Sequence, residues 1–378
     1  MFKISSGLKV KNIFLICWLF FSLAVYTPGL AAIPQDHTDE NSSAQDEDLH
    51  NEKENEGKEF NPSDFVFDHI GDSHDWHILT TPGGRHVSIY LPVIVYSKKN
   101  GLHVFSSRHL AHGHRYRGFM IMPEGELEGE IVEIDDEGNI NEENLPLDFS
   151  ITKNVAAMMV VAILLLWLFL SLAKSYRKTG ISEPKGIQGF LEPVVLFVRD
   201  DIAIPNLGEE KYDRYMPYLL TVFFFILLNN LMGLIPVFPG GANVTGNIAV
   251  TFTLAAFTMI IINTNGNKEY WRHIFNTPGV PWWLKFPIPL MPLVELIGVI
   301  AKPFALMVRL FANITAGHII VLSLVSLIFI FKSVAFAPVS IIMVLFMDCI
   351  ELLVAFLQAY IFTLLSALFI GLAIKEEH

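Results

Sequence analysis

The sequence predicts an all-α polytopic membrane protein with about five membrane helices, preceded by a small segment that is partly β. Three observations lead to this fold class. Of the 378 residues, 52% are hydrophobic and 17% are charged, which is too apolar for an ordinary soluble domain. Five long apolar stretches follow residue 150. Residues 33–60 are instead rich in acidic residues, Asn and Ser, so the chain combines a polar part with a membrane part.

The charge balance and the cysteine content argue against two classes of site. The chain has 26 Lys plus Arg against 38 Asp plus Glu, a formal net charge of −12. Nucleic acid is therefore not an expected partner, since its phosphates require a basic protein surface. The two cysteines of the sequence, Cys17 and Cys349, lie far apart in apolar stretches. Neither a disulfide framework nor a cysteine metal site is expected.

The N-terminal residues predict a targeting sequence. Three lysines within the first eleven residues precede an apolar stretch over residues 13–25, and small residues follow up to Ala32. This order is typical of a secretory signal peptide, here residues 1–32; an uncleaved signal anchor is the alternative. Residues 33–60 cannot bury enough apolar surface to offset chain entropy, so they are predicted to be an acidic disordered segment.

Residues 61–145 have the composition of a folded extracytoplasmic segment. Apolar residues over 65–76 predict a short helix, and the alternation over His86–Tyr96 predicts a strand. A turn at Lys99–Gly101 then leads into Leu102–Phe105, which is the pattern of a β-hairpin. The segment is therefore expected to form a small, partly β cap.

Eight histidines in this segment raise the question of a metal site. His74 and His77 at helical spacing, or His112 and His114, are the pairs that would bind zinc or copper. No carboxylate or thiol completes a recognisable ligand pattern, so exposed surface histidines are the favoured interpretation. The full set is His69, His74, His77, His86, His103, His109, His112 and His114.

Five apolar stretches in residues 146–378 are long enough to cross a membrane, because about 20 residues of helix span roughly 30 Å of hydrocarbon. The last two exceed that length, since about 40 residues at about 1.5 Å each measure about 60 Å. They are predicted to form a steeply tilted hairpin, with Pro303 as a candidate kink. The stretches are Val155–Ala173, Pro217–Phe238, Gly246–Asn263, 292–331 and 338–374.

Basic residues set the predicted orientation. Residues 174–216 contain seven Lys and Arg, whereas the turn at 237–246 contains none. By the positive-inside rule, residues 174–216 face the cytoplasm. In a bacterial inner membrane the N-terminal segment is therefore expected on the periplasmic side and the C-terminus on the cytoplasmic side. Ile187–Ile204 mixes apolar and charged residues and predicts an amphipathic helix at the cytoplasmic interface.

The long hairpin also holds six ionisable residues. A charged side chain at membrane depth costs at least about 2.5 to 3.5 kcal/mol on insertion scales, so each is a functional candidate. Snorkelling to the interface accounts for Lys302 and Asp348, but not for Arg309, which lies more than 20 residues from Lys332. The six are Glu295, Lys302, Arg309, His318, Asp348 and Glu351.

A depth argument predicts which of these residues meet. In an antiparallel hairpin, positions at equal depth have a nearly constant sum of residue numbers, which places Arg309 level with Gln358 and His318 level with Glu351. His318 follows Arg309 by nine residues, or about 180° around a helix. The two side chains should therefore point to opposite sides, with Asn313 near the Arg309 side.

The residue types of this set predict two kinds of chemistry. His318 and Glu351 form a titrating pair, and Asn230 and Asn243 would lead towards it from the outer surface, which outlines a proton relay. Arg309 is the opposite kind of group, because a guanidinium stays protonated at all physiological pH values. Its fixed charge repels a migrating proton and favours the ionised form of a neighbouring carboxyl group, so a passing acid would lose its proton there.

Four sequence runs carry a resemblance to a known family. They are KPFALMVRLFANITAGH at Lys302–His318, ELLVAFLQAYIFT at Glu351–Thr363, NNLMGLIP at Asn229–Pro236 and NVT at Asn243–Thr245. Together they resemble subunit a of the F-type ATP synthase, over about residues 146–378. Asp68–Ile70 and Trp76–His77 are similar to the extended N-terminal region of some bacterial members.

The resemblance implies a role for each candidate residue. Arg309 would be the stator arginine that faces the rotor ring of subunit c, flanked by Asn313 and Gln358. His318 and Glu351 would line an inlet half-channel from the outside. In some relatives the acid and the histidine are exchanged between the two helices, and the arrangement in this chain keeps the pair. Proton flow through two offset half-channels would then drive rotation and ATP synthesis.

The outlet and the partners follow from the same resemblance. Glu295 falls where the family places an acid in the path to the cytoplasm. Some members also carry an acid at the position of Gly233, which this chain lacks. The implied partners are the subunit c ring, the peripheral-stalk subunit b, the rest of the ATP synthase and the lipid bilayer. No cofactor or metal is implied, and ATP chemistry would take place elsewhere, because the sequence has no Gly-rich phosphate loop.

Two other classes of function are alternatives. A secondary transporter would use Arg309 to bind an anionic substrate at mid-membrane, but the sequence shows no two similar halves. A metal sensor or importer would be built on the histidine-bearing segment. The coupling ion, proton or sodium, would be selected on the ring rather than in this chain.

Overall fold

The computed structural model describes residues 70–80, 86–98, 101–122, 127, 129–134, 145–179, 186–235, 240–276, 290–331 and 337–375. The predicted signal peptide and acidic segment, residues 1–60, lie outside the described residues, as does the first part of the helix predicted over 65–76. Within the described residues, the chain forms a small β segment followed by a larger helical membrane domain.

The β segment, residues 70–150, consists of short antiparallel strands. The described strands are β1 Asp75–Thr80, β2 His86–Tyr90, β3 Pro92–Ser97, β4 Gly101–Ser106, β5 Phe119–Ile121, β6 Ile131–Glu133 and β7 Leu147–Asp148. β1 pairs with β2, β3 lies between β4 and β7, and β5 pairs with β6. A small core of aliphatic and aromatic side chains holds the segment together, namely Val93, Val95, Leu110, Phe119 and Ile131.

The predicted helix over residues 65–76 is wrong at its C-terminal end. Trp76 lies in β1, with Ile89 of β2 as its partner in the sheet. His77 is in the same strand and His74 precedes it, so the helical spacing that would have brought these imidazoles together is absent. Pairing with a later strand outweighs the local apolar pattern that favoured a helix.

The strand predicted over His86–Tyr96 is present but divided. It consists of β2 and β3, which are separated at Leu91. The backbone N–H of Leu91 donates to the carbonyl oxygen of His74 and to the hydroxyl oxygen of Ser107, and these contacts turn the chain into a second sheet. The hairpin predicted around Gly101 is confirmed, because β3 and β4 pair in antiparallel register.

The membrane domain is helical. Its described helices are α1 Lys153–Thr179, α2 Ile187–Phe197, a π-helical turn at Val198–Ala203, α3 Ile204–Leu207, α4 Tyr212–Leu234, α5 Ile248–Asn265, α6 Lys268–Phe275, α7 Leu290–Phe331 and α8 Ala337–Ile374. Among the described residues, five helices are long and apolar enough to cross a membrane, namely α1, α4, α5, α7 and α8. The five predicted spans are therefore confirmed, and the protein is an all-α multi-pass membrane protein apart from its β segment.

The helix predicted over Ile187–Ile204 is also present, although its second half differs from a regular α-helix. The backbone is wound as a π-helix from Val198 to Ala203. This wider turn keeps Val198 and Ile202 fully buried, while Arg199 Nε donates to Asp200 Oδ1 at 2.6 Å. The segment therefore joins the core of the membrane domain on one side and carries the Arg199–Asp200 ion pair on the other.

The C-terminal end of α8 is fixed by hydrogen bonds from two connecting segments. Lys211 Nζ donates to the carbonyl oxygen of Ile374 at 3.1 Å. Asn267 donates to the same carbonyl through Nδ2 at 2.8 Å, and its backbone N–H donates to that of Ala373 at 3.0 Å. These donors satisfy carbonyl groups that a helix end leaves unpaired, and the lysine charge complements the helix dipole.

A glycine allows α8 to pack closely on α3. A Cβ atom at Gly371 would lie 2.1 Å from the carbonyl oxygen of Asn206, far inside van der Waals contact. The Asn206 side chain donates through Nδ2 to the carbonyl oxygen of Ile202 at 2.8 Å, so the turn that carries this oxygen is itself held in place. Close packing at this position therefore requires a residue without a side chain.

Gly371→Ala is expected to lower the stability of the protein by roughly 1 to 3 kcal/mol, the usual cost of overpacking a buried site. Thermal unfolding of the purified protein in detergent measures this change. Gly298→Ala is the matched control, because a Cβ atom at Gly298 meets no atom within 4 Å and alanine favours a helix over glycine by about 1 kcal/mol. Equal unfolding temperatures for the two variants would contradict the packing at Gly371.

Candidate functional site

Arg309 lies near the middle of α7 and is exposed on a face that includes four alanines. Ala301, Ala305, Ala312 and Ala316 are exposed on the same helix, at spacings of four, seven and four residues that keep them close to one face. In the part of the chain that the structure describes, no hydrogen-bond or ion-pair partner is found for the guanidinium. Small residues let another helix approach closely, so the four alanines leave room beside this permanent positive charge.

Asn313 links the Arg309 face to α8. It follows Arg309 by one helical turn, and its Nδ2 donates to Oε1 of Gln358 at 3.0 Å. Gln358 is almost fully buried, with 2% of its surface exposed. The depth argument is therefore correct to within about one turn, since Gln358 reaches α7 at Asn313.

His318 and Glu351 lie side by side, as the depth argument predicts. The distance from His318 Nδ1 to Glu351 Oε2 is 3.7 Å, and the two side chains are 17% and 11% exposed. This distance is longer than a direct hydrogen bond, so the two groups are close enough to exchange a proton through a small movement or a bridging water molecule. Gly317 makes room for the acid, because a Cβ atom there would lie 2.7 Å from Glu351 Oε1.

Gly233 lies on the other side of the His318 imidazole. A Cβ atom at Gly233 would be 3.5 Å from His318 Nε2 and 3.4 Å from the carbonyl oxygen of Ala242. A Cβ atom at Gly233 would therefore already be in van der Waals contact with the imidazole and with the backbone, so a longer side chain would have little free space on this side. A glycine at this position is compatible with a histidine at position 318.

Asn230 and Asn243 occupy the end of the membrane domain that contacts the β segment. Asn230 Oδ1 accepts a hydrogen bond from Thr245 Oγ1 at 2.6 Å, and its Nδ2 donates to the carbonyl oxygen of Ala355 at 3.4 Å. Asn243 Oδ1 accepts from the backbone N–H of Gly246 at 3.1 Å. Buried polar atoms without a protein partner normally bind water. In the described part of this region they are Asn243 Nδ2, Thr315 Oγ1 and Glu351 Oε1.

Glu295 lies near the opposite end of α7, next to a residue that the sequence reasoning missed. The distance from its Oε1 to His273 Nδ1 is 3.8 Å, and the side chains are 29% and 53% exposed. His273 belongs to the short amphipathic helix α6, which buries Ile274 at 3% exposure. The signal available in the sequence was the polar face of that helix next to the start of α7. Glu295 precedes Arg309 by about 21 Å along the helix axis.

Two histidines of the β segment, His74 and His109, have structural partners. His74 Nε2 lies 3.0 Å from Asp148 Oδ2. Burial alone would raise the pKa of Asp148, but hydrogen bonds from His74 and Ser150 lower it below its usual value. His109 stacks on Tyr116, with 4.3 Å between the ring centroids. Across the described ranges, no three His, Cys, Asp or Glu side chains are close enough to hold a metal ion.

Comparison with known proteins gives two family matches. The family described as ATP synthase A chain matches residues 155–371, which contain every candidate residue of the membrane domain. A family described as a domain of unknown function matches residues 65–149, which correspond to the β segment.

Several relatives are named ATP synthase subunit a. The one from Chloroherpeton thalassium is 47% identical over 237 residues, which is 61% of this chain and 68% of the relative. One from Chlorobium luteolum, named ATP synthase subunit a 2, is 48% identical over 251 residues, 64% of this chain and 71% of the relative. One from Prosthecochloris aestuarii, also named ATP synthase subunit a 2, is 43% identical over 286 residues, 73% of this chain and 85% of the relative. The chain therefore belongs to the ATP synthase subunit a family, and it is a multi-pass membrane component of the F-type ATP synthase.

Proposed function

We propose that this chain is the stator subunit in which two offset proton half-channels are separated by Arg309. One observation supports the proposal above all others: a guanidinium is exposed at the middle of a membrane helix, on a face that includes four alanines. A permanent charge at this depth is costly unless it faces a polar or charged partner. The ring of subunit c, with a carboxyl group on each rotor site, is the partner of matching chemistry.

Arg309 acts on the ring through electrostatics. At about 4 Å and an effective dielectric constant of about 20, a guanidinium stabilises an ionised carboxylate by about 4 kcal/mol, which corresponds to roughly three pKa units. This is sufficient to drive proton release from a ring carboxyl group as it approaches. The same charge repels a proton that would otherwise pass directly between the half-channels. Protons therefore cross only when they are bound to carboxyl groups of the rotating ring.

The inlet half-channel leads past His318 and Glu351. The pair lies towards the end of the membrane domain where Asn230 and Asn243 are buried, and polar atoms without protein partners line the way. A proton that reaches Glu351 is transferred to an ionised ring carboxylate. The neutral ring site then moves into the lipid, because only the uncharged form tolerates hydrocarbon.

The outlet half-channel ends at Glu295 and His273. After nearly a full turn of the ring, the protonated carboxyl group returns to the Arg309 face from the other side and releases its proton. Glu295 is partly exposed at the end of α7 opposite to the His318–Glu351 pair, so it is placed to pass the proton to water. Glu295 and His318, the partner of Glu351, lie on opposite sides of Arg309 along α7, and this separation provides the offset that rotation requires.

This mechanism sets the partners and the location of the chain. It acts against the subunit c ring, is held by the peripheral-stalk subunit b, and works only within the whole ATP synthase, whose other subunits perform the ATP chemistry. The β segment lies on the periplasmic side of the bacterial inner membrane and the C-terminus on the cytoplasmic side. An anion transporter is less consistent with the geometry, because a substrate-binding arginine belongs inside a cavity, whereas Arg309 is on the outer face of its hairpin.

Arg309→Ala is expected to abolish ATP-driven proton pumping, because no fixed charge would then force ring carboxyl groups to deprotonate. Quenching of a pH-sensitive dye in inverted membrane vesicles measures this. Passive proton conduction after removal of the soluble ATPase sector should persist, since the barrier between the half-channels is lost as well. Lys302→Ala, which removes an exposed charge seven residues earlier on the same helix, is the control and should pump normally. Wild-type pumping by Arg309→Ala would refute the proposal.

His318→Ala and Glu351→Ala are each expected to slow passive proton uptake through the membrane sector by roughly tenfold or more, since groups that transfer protons typically contribute factors of about 10² to 10⁴. Gly317→Ala should also slow passive proton uptake, because the added methyl group would clash with the Glu351 carboxylate. Cys349→Ala, at an exposed residue two positions before Glu351 and therefore on the other side of α8, is the control. Normal uptake in all the variants, or loss of the subunit from the complex, would contradict an inlet role.

A further inference from the structure

The segment Gly71–Trp76, here called the strap, joins the β segment to the membrane domain at two separate points. At its first point it caps the start of α1. The backbone N–H of Lys153 donates to the carbonyl oxygen of Ser73 at 2.8 Å, and that of Asn154 donates to Asp72 Oδ1 at 3.0 Å. Lys153 Nζ also donates to the carbonyl oxygen of Gly71 at 2.9 Å. These bonds satisfy donors that a helix N-terminus leaves unpaired, so one end of the strap is fixed.

Trp76 makes the second attachment, on the turn between α4 and α5. Its indole Nε1–H donates to the carbonyl oxygen of Gly240 at 3.2 Å. The side chain is 4% exposed and belongs to the buried cluster of the membrane domain rather than to the core of the β segment. A buried tryptophan that contributes both a large apolar surface and a hydrogen bond is a strong anchor. The β segment is therefore fastened to this turn.

The turn that Trp76 holds, Gly240–Thr245, is tightly connected to α4. The backbone N–H of Gly241 donates to the carbonyl oxygen of Met232 at 3.2 Å, and Thr245 Oγ1 donates to Asn230. A Cβ atom at Gly240 would lie 2.3 Å from the carbonyl oxygen of Ile235, so the turn passes directly over the end of the helix. Its position is consequently defined from two sides, by α4 and by the strap.

The same turn and the His318 imidazole both lie next to Gly233. The carbonyl oxygen of Ala242 and His318 Nε2 are both within 3.5 Å of the position that a Cβ atom at Gly233 would take, so the turn and the imidazole approach one another at a single glycine. Asn243, the next residue, is 5% exposed and its Nδ2 has no protein partner among the described residues. A displacement of this turn would therefore change the polar surroundings through which His318 is reached.

We propose that Trp76 is a positioning residue for proton uptake, and that the β segment serves to hold the Gly240–Thr245 turn as the outer wall of the inlet beside His318. This inference rests on the proposed function, because it assumes that His318 receives the incoming proton. It gives a role to residues 65–149, the part matched by a domain of unknown function. Trp76 acts through the turn and does not itself handle the proton.

The test uses ATP synthase that has assembled in native membranes. The soluble ATPase sector is then removed, so that passive proton flow through the membrane sector can be measured. Passive proton uptake is measured against proton concentration on the periplasmic side, which yields a maximal rate and a half-saturating concentration. Trp76→Phe keeps a ring but loses the N–H donor, and loss of one hydrogen bond typically changes an equilibrium by roughly three- to tenfold. The half-saturating proton concentration is expected to rise by about that factor, with the maximal rate and the subunit content retained.

Two further variants make the test specific. Tyr96→Phe also removes one donor from an aromatic side chain, but Tyr96 is 45% exposed, so uptake should be unchanged. The double variant Trp76→Phe, His318→Ala should behave like His318→Ala alone, because the turn cannot affect proton uptake by a residue that is absent.

The outcomes separate this inference from the function on which it rests. Slow uptake by His318→Ala together with unchanged uptake by Trp76→Phe would overturn the positioning role and leave the proposed function intact. A maximal rate that falls in proportion to subunit content, with an unchanged half-saturating concentration, would overturn it as well, because Trp76 would then be an assembly anchor only. Additive effects in the double variant would also overturn it. Normal uptake by His318→Ala would overturn both proposals together.

Discussion

A guanidinium that cannot give up its proton is held at the middle of a membrane helix, and the rest of the membrane domain is organised around that charge. Because Arg309 is exposed on α7, its solvation depends on what lies beside the hairpin rather than on this chain. The alanines on the same face allow close approach, and the hydrogen bond from Asn313 to Gln358 ties that face to the buried side of α8. The charge is therefore held at a defined position on the surface of the hairpin, which is a condition for electrostatics to act at short range.

The parts of the fold that follow from composition and spacing could be predicted from the sequence. Membrane helices must satisfy all their backbone groups internally, so long apolar stretches determine the spans with few alternatives. The same regularity made the depth argument work, because two antiparallel helices with a constant rise fix which positions are level. The sequence alone thus pairs His318 with Glu351 and predicts the level of Gln358 to within one turn.

The parts that depend on contacts between distant residues could not be predicted. In β3, Val93 and Val95 are buried on one side, while Tyr96 on the other side is 45% exposed. Because the residues on both sides are apolar, the sequence pattern does not show where the strand begins. Trp76 lies in an apolar run that favours a helix, yet its sheet partner and its acceptor, Gly240, are 13 and 164 residues away. His273 approaches Glu295 only because α6 packs against the start of α7. In each case a tertiary contact decides the local structure.

Two glycines explain how the His318–Glu351 pair fits between three helices. Gly317 leaves space for the carboxylate, and Gly233 leaves space for the imidazole. Ala242 and His318 both lie close to Gly233, so a larger side chain at position 233 would have to share this space with the imidazole. The pair is therefore bounded by α4 as well as by the hairpin, and the turn after α4, which the β segment holds through Trp76, adjoins the same glycine.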